Sequence, residues 1–353
     1  MYRILIVAPA WVGDTVLAQP LMKRLHQRHG PELQLDVLAP AWTRPLLSRM
    51  PEVHASFENP FVHGDIKLRS RMRLGRSLAV QGYDQAIVLP NSLKSALVPF
   101  FAGIRKRTGF KGEQRYGLLN DLRKLDPVTL PTMAERFVWL AEEPGTPPLA
   151  ESTMPRPQLS SSRAQQLATL SALGLQDETP ALALCSGAEF GPAKRWPAAH
   201  FADLARRARQ AGWQVWLLGS SKDSEDAEAI VQQAPGALNL CGKTSLTQAI
   251  DLLALSSQVV SNDSGLMHIA AALDRPLVAI YGSSSPDFTP PLSDKAKLAH
   301  LALECSPCFQ RTCPLGHLQC LTELHPDRIW EKMHWHPAPV PAPSPDSLTV
   351  PHA

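Results

Sequence analysis

The sequence predicts an α/β protein of two facing domains, each built on a parallel sheet, and three observations carry that expectation. The chain has 353 residues, enough for two buried cores at roughly 150 residues per domain. Short runs of aliphatic and β-branched residues alternate with stretches of helical spacing, the order that builds βα units on a parallel sheet. That alternation starts twice, near residue 4 and again near residue 181, on either side of a stretch rich in Pro, Ser and Thr.

Ile4 to Ala8 reads as a strand buried on both faces. After the turn Pro9 to Asp14, the apolar residues Val16, Leu17, Pro20, Leu21 and Leu25 follow helical spacing, and Gly30-Pro31 stops that helix. Leu33 to Leu38 gives a second strand and Gln85 to Leu89 a later one, followed by helix-forming residues from Ser92 to Ala102. Residues 151–162, ending in Ser160 to Ser162 and preceded by Pro144, Pro147 and Pro148, read as a linker. The second series places strands at 181–185, 213–218, 258–260 and 277–281, separated by helices near 198–211, 223–233, 245–255 and 265–273, with a last helix over 327–333. The chain therefore divides into a domain at 1–150, the linker, a domain at 163–335 and a tail at 336–353. That tail holds six prolines without apolar periodicity and is expected to be disordered.

Composition excludes several classes. With 35 Lys and Arg against 32 Asp and Glu, the net charge of +3 is far from that of a dedicated nucleic-acid binder. No uncharged apolar run approaches the roughly 18 residues of a membrane span. Pro9, Gly13 and Asp14 interrupt the first apolar run, so no export signal is expected and the cytoplasm is the default location.

In doubly wound sheets ligands bind beyond the carboxyl ends of the strands, which directs attention to three loops. Asp14 follows the first strand and stands at the start of a helix, where a carboxylate serves equally as an N-cap or as a base. Cys185 to Pro197 follows the first strand of the second domain, and its Ser186, Gly187 and Lys194 have the small size and charge that suit a phosphate. An ordinary surface loop is the alternative. Ser261 to His268 opens a helix: Ser264 and Gly265 offer a hydroxyl and amides to an anion, Asp263 orients a ribose or caps the helix, and His268 is either structural or at the ligand. No G-x-G-x-x-G follows a strand, and H-E-x-x-H, G-x-S-x-G and D-x-D are all missing, which removes the usual dinucleotide, zincin, serine-hydrolase and metal-sugar-nucleotide signatures.

Longer segments are more specific. Ala8-Pro-Ala-Trp-Val-Gly-Asp14, Pro90 to Gly103, Arg115-Tyr-Gly-Leu-Leu-Asn-Asp121, Gly187 to Pro197 and Asn262-Asp-Ser-Gly-Leu-Met-His268 together resemble the bacterial lipopolysaccharide heptosyltransferase II family, across residues 1 to about 330. The resemblance implies a GT-B fold, two Rossmann-like domains across a cleft, with the acceptor held by the first and the nucleotide by the second. It implies the donor ADP-L-glycero-D-manno-heptose and, as acceptor, the first heptose of the Kdo-lipid A inner core at the cytoplasmic face of the inner membrane, with no cofactor required. By position, Asp14 corresponds to the general base, Lys194 to the phosphate-binding lysine, and Asp263, Ser264, Gly265 and His268 to the diphosphate loop. Ser186 stands where this branch of the family is expected to carry Pro. Glu225 corresponds to the acidic residue on the ribose, with Asp223 nearly as well placed. Asn91, Lys94 and Arg115 lie in the family-like segments expected to touch acceptor.

Residues 61–124 contain 13 Lys or Arg against four Asp or Glu. Arg69, Arg71, Arg73 and Arg76 form either a solvated helix face or a patch for a phosphorylated glycolipid on an anionic leaflet. Cys305, Cys308, Cys313 and Cys320 lie within sixteen residues. Their C-x2-C opening suits structural zinc and their other gaps are irregular for a zinc ribbon, so reduced, unligated thiols stand as the alternative. Two other functions share the architecture: a sugar-nucleotide 2-epimerase without a glycolipid acceptor, and a non-catalytic protein closing on a small solute. Release of ADP when donor meets acceptor separates all three.

Overall fold

The computed structural model describes residues 1–62 and 64–334, so the Pro-rich tail at 336–353 lies outside the described residues. Two six-stranded sheets form, and every strand pairing within them is parallel. The first contains β1 (Tyr2–Val7), β2 (Leu33–Ala39), β3 (Ala55–Glu58), β4 (Gln85–Val88), β5 (Lys106–Phe110) and β6 (Asp121–Arg123), in the order 3-2-1-4-5-6. The second contains β7 (Ala181–Cys185), β8 (Gln214–Leu217), β9 (Leu238–Asn239), β10 (Gln258–Asn262), β11 (Leu277–Ile280) and β12 (Ala296–Ala299), in the order 12-11-10-7-8-9. These are the same winding. In each sheet the direction of strand addition reverses beside the first strand, between β1 and β4 and between β7 and β10. Switch points of this kind are where doubly wound sheets bind their ligands.

Helices cover both faces of each sheet, which explains why β1, β4, β7 and β10 bury nearly every side chain. The apolar spacing after β1 yields two helices, Val12–Leu17 and Gln19–His29, where one was expected. Pro20 lacks the N–H that a continuous helix needs, and it sits instead in the first turn of the second helix. Several strands escaped the sequence reading for local reasons: β9 has two residues, and β5 opens Lys106-Arg107 and contains Gly109.

The expected linker is a strap tied to both halves. The Gln19 amide donates to the Gln158 carbonyl and accepts from its N–H, while Leu159 N–H donates to the Ala272 carbonyl. Beside it, Arg49 of the first half pairs with Asp251 of the second at 2.8 Å, both nearly fully buried, and Ser161 and Thr169 donate to the same carboxylate. Apolar side chains from β1, the strap and the helix Gly265–Ala272 form one continuous core across the boundary.

Candidate active site

Asp14 lies in the first turn of the helix Val12–Leu17, whose N-cap is Trp11, and no side chain caps that end. The helix-cap reading is therefore not realised. No hydrogen bond reaches the Asp14 carboxylate from the described residues. Burial pushes its pKa up to about 6, with Lys194 pulling it down and Asp263 adding to the rise. Those two influences come from the other domain, so the Asp14 carboxylate and the Lys194 ammonium share one electrostatic site.

The halves meet here main chain to main chain. A Cβ on Gly13 would stand 2.8 Å from the His268 ring, and one on Gly265 would stand 2.9 Å from Val12. Only glycine lets these helices approach so closely. His268 is buried by that contact, and desolvation lowers its pKa to about 4, so the imidazole is neutral at working pH.

On the second domain the loops after β7, β10 and β11 knit together. The Asp263 carboxylate accepts from Lys194 Nζ at 2.5 Å and from Ser284 Oγ at 2.6 Å. Asp263 thus positions the lysine; it does not cap the helix Gly265–Ala272, whose N-cap is Ser264. Asn262 Nδ2 donates to the Ser186 carbonyl at 2.6 Å, and Asn262 Oδ1 accepts from Trp196 N–H, fixing the loop that carries Lys194. Ser186 Oγ, His268 Nδ1 and Ser283 Oγ around this knot are buried without a hydrogen-bond partner among the described residues. Orphaned polar atoms grouped at a switch point are what a polar ligand would satisfy.

The remaining expected residues divide. A Cβ on Gly187 would lie 2.4 Å from the Asp223 carboxyl carbon, so Asp223 packs directly against the phosphate-type loop. Its carboxylate accepts from Ser220 N–H and Oγ, which makes it a capping residue as well. Glu225 is exposed in the first turn of the next helix and is not drawn into this knot, so Asp223 is the one of the two expected carboxylates that packs against the loop after β7. Arg115 corrects an expectation. Only 1% exposed, it donates to the carbonyls of Pro90 and Phe110 and to Asn91 Oδ1, so it holds the acceptor-side loop in shape from below and does not line its surface. Arg71 is corrected likewise. It is buried, its guanidinium bound to the carbonyls of Ile66, Lys94 and Asp65, whereas Arg69, Arg73 and Arg76 are exposed. Asn91 is exposed and Lys94 half-buried on the loop that Arg115 braces. Ser284, which shares the Asp263 carboxylate with Lys194, is not expected from the sequence and leaves no signal there beyond its place after strand β11.

Cys305, Cys308, Cys313 and Cys320 are free thiols that line one small cavity behind Lys194. Among the described residues, no three Cys, His, Asp or Glu side chains are placed so that they could hold a metal ion, so the four cysteines do not form the metal set that their spacing suggested. No helix among the described residues is long and apolar enough to cross a membrane.

Two 3-2-1-4-5-6 sheets with a carboxylate at one switch point and a lysine-carboxylate pair at the other define a GT-B glycosyltransferase architecture. The profile of glycosyltransferase family 9 (heptosyltransferase) matches residues 71–319. Lipopolysaccharide heptosyltransferase 2 of Salmonella typhimurium is 48% identical over 94% of this chain and 97% of its own, and that of Escherichia coli is 47% identical over the same shares. The solved structure of E. coli ADP-heptose lps heptosyltransferase II superposes with a TM-score of 0.85 at 46% identity, covering 94% of this chain and 97% of that one. The chain belongs to glycosyltransferase family 9, and it is a heptosyltransferase of lipopolysaccharide core biosynthesis.

Proposed function

We propose that the protein moves L-glycero-D-manno-heptose from ADP-heptose onto the first heptose of the Kdo-lipid A inner core, by a single displacement that inverts the anomeric centre. The observation that carries the mechanism is Asp14: a carboxylate raised to about 6 by burial, unpaired by hydrogen bonds and facing Lys194 across the domain boundary. It is basic enough to accept a proton and still ionised at pH 7. In the step, the acceptor hydroxyl loses its proton to Asp14 as its oxygen bonds to the anomeric carbon. The bond from that carbon to the β-phosphate oxygen breaks, and ADP leaves with the added negative charge. Lys194, held by Asp263, and the N-terminus of the helix Gly265–Ala272 face that charge.

The acceptor side is read on the first domain, where Asn91 and Lys94 sit on the loop braced by Arg115. Exposed Val62, Ile66 and Leu68 stand among Lys67, Arg69, Arg73 and Arg76, a mixture of apolar and cationic groups that suits peripheral contact with an anionic cytoplasmic leaflet. Mixing ADP-heptose with mono-heptosylated Kdo-lipid A should add the mass of one heptose and release ADP stoichiometrically. ADP release without a heavier glycolipid, or addition to Kdo-lipid A that lacks the first heptose, would overturn the acceptor assignment.

A further inference from the structure

Trp196, Trp213 and Trp216 are buried and Trp139 and Trp330 half-buried, whereas Trp11 and Trp42 are 46% and 53% exposed. Both exposed tryptophans stand on loops beyond the carboxyl ends of neighbouring strands, Trp11 after β1 and Trp42 after β2. Neither exposure comes from a loose turn. The Trp11 carbonyl accepts from Thr15 N–H at 3.0 Å and from Thr15 Oγ1 at 2.9 Å, and the Pro40 carbonyl accepts from Thr43 N–H at 3.1 Å and from Thr43 Oγ1 at 3.2 Å. Both threonines are fully buried. Trp42 Nε1 donates to the Ala10 carbonyl at 2.8 Å, which satisfies the polar end of the indole and ties the ring to the residue before Trp11. Exposed Phe100 and Tyr116 carry the cations of Arg107 and Lys111 over their rings; among the described residues the indoles of Trp11 and Trp42 carry no cation and stack on no other ring.

Their position says what covers them. Trp11 is the N-cap of the helix Val12–Leu17 and Asp14 its third residue, and those two positions are neighbours on a helix surface. On the other side of β1, the loop after β4 presents the polar Asn91 and Lys94. A pyranose ring has the matching make-up, with hydroxyls around its rim and an apolar patch where its C–H bonds gather on one face, which lies flat on an indole. We propose that Trp11 and Trp42 form a stacking wall for the acceptor glycan, taking the C–H faces of its pyranose rings while its hydroxyls turn toward Asp14 and toward Asn91 and Lys94. This inference rests on the acceptor reading given above. The indoles are sugar-binding residues: they fix the plane of the acceptor, and Asp14 then meets one hydroxyl of it.

The probe is mono-heptosylated Kdo-lipid A stripped of its acyl chains, so that no lipid surface is present. With this water-soluble acceptor, Trp11→Leu and Trp42→Leu, which keep apolar bulk without a flat face, should each raise the acceptor KM about tenfold and leave the donor KM within about twofold. Trp42→Phe, which restores a flat ring, should recover most of that loss. The indole emission of the wild type should move to shorter wavelength as the same acceptor is added, and the double leucine variant should lose that shift while keeping its melting temperature, since both rings are exposed. A wild-type acceptor KM in both leucine variants would overturn the proposal. So would an effect seen only with acylated acceptor on vesicles, which would assign the indoles to the membrane. A wild type that transfers nothing to this acceptor overturns the functional reading and the stacking with it, whereas normal transfer with unmoved variants overturns the stacking alone.

Discussion

The two walls of the active site are built to different degrees of completeness. On the second-domain wall the charged groups answer one another: Lys194 has Asp263, Asp263 has Ser284, and Asn262 ties both neighbouring loops. On the first-domain wall Asp14 has no such partner and carries a pKa raised by burial. On the proposed mechanism, a group that must change its protonation in every turnover is left unpaired, whereas groups that must present constant charge to a diphosphate are locked in advance.

Breaking the unpaired wall should have the largest effect. Asp14→Asn is expected to lower kcat by about 10³-fold with ADP affinity unchanged, since general-base catalysis contributes roughly 10² to 10⁴. A normal turnover number would remove Asp14 from the reaction. In the wild type, kcat/KM should fall about tenfold per pH unit below about 6, as Asp14 protonates. The linkage sign is the reverse for stability. The folded state binds the Asp14 proton more tightly than the unfolded chain does, so this group's contribution is favourable at low pH and is lost as pH rises from about 4 to about 6. Asp14→Asn should accordingly gain roughly 1–2 kcal/mol at pH 7, a figure discounted for partial exposure and measurable by thermal unfolding.

Breaking the paired wall comes next. Lys194→Met alone strands the Asp263 carboxylate in a buried site, so the cleaner probe is the double variant Lys194→Met with Asp263→Asn. It should lose about 10²-fold in kcat/KM together with ADP affinity, and calorimetry showing undiminished ADP binding would contradict the role. The smallest effect should come from the seam between the walls. Gly13→Ala pushes a methyl against His268, and overpacking of this kind costs about 1–3 kcal/mol. Stability should drop while the pH profile keeps its shape; an unchanged melting temperature would show that the helices slide apart freely.

Much of this arrangement was legible in the sequence because it rests on main-chain periodicity. Strands such as Ala181–Cys185 and helices such as Leu246–Leu255 have apolar patterns that set their position, and the residues after them then fall at the switch points. Arg115 and Arg71 were not legible. Both arginines stand in cationic stretches, and only the fold shows that carbonyls of distant turns consume their donors. The stretch at 151–162 reads as a linker from its Pro and Ser content, which describes a chain without α-helix or strand; it holds one short 3-10 turn at Glu151–Thr153, and the tertiary bonds from Gln19 and to Ala272 that hold it leave no sequence signal. That Asp223 and not Glu225 packs against the loop after β7 follows from Gly187, whose missing side chain makes room for that carboxylate.

The bare backbone seam at Gly13 and Gly265 also bears on how such an enzyme can be altered. On the proposed mechanism, proton acceptor and leaving group are registered through the close contact of Gly13 with His268 and of Gly265 with Val12, positions at which no larger residue fits without a shift. The turns after β3 and β4 can then be redrawn for another glycan while the chemistry keeps its alignment, and swapping those turns between relatives is the natural engineering route to new oligosaccharide cores.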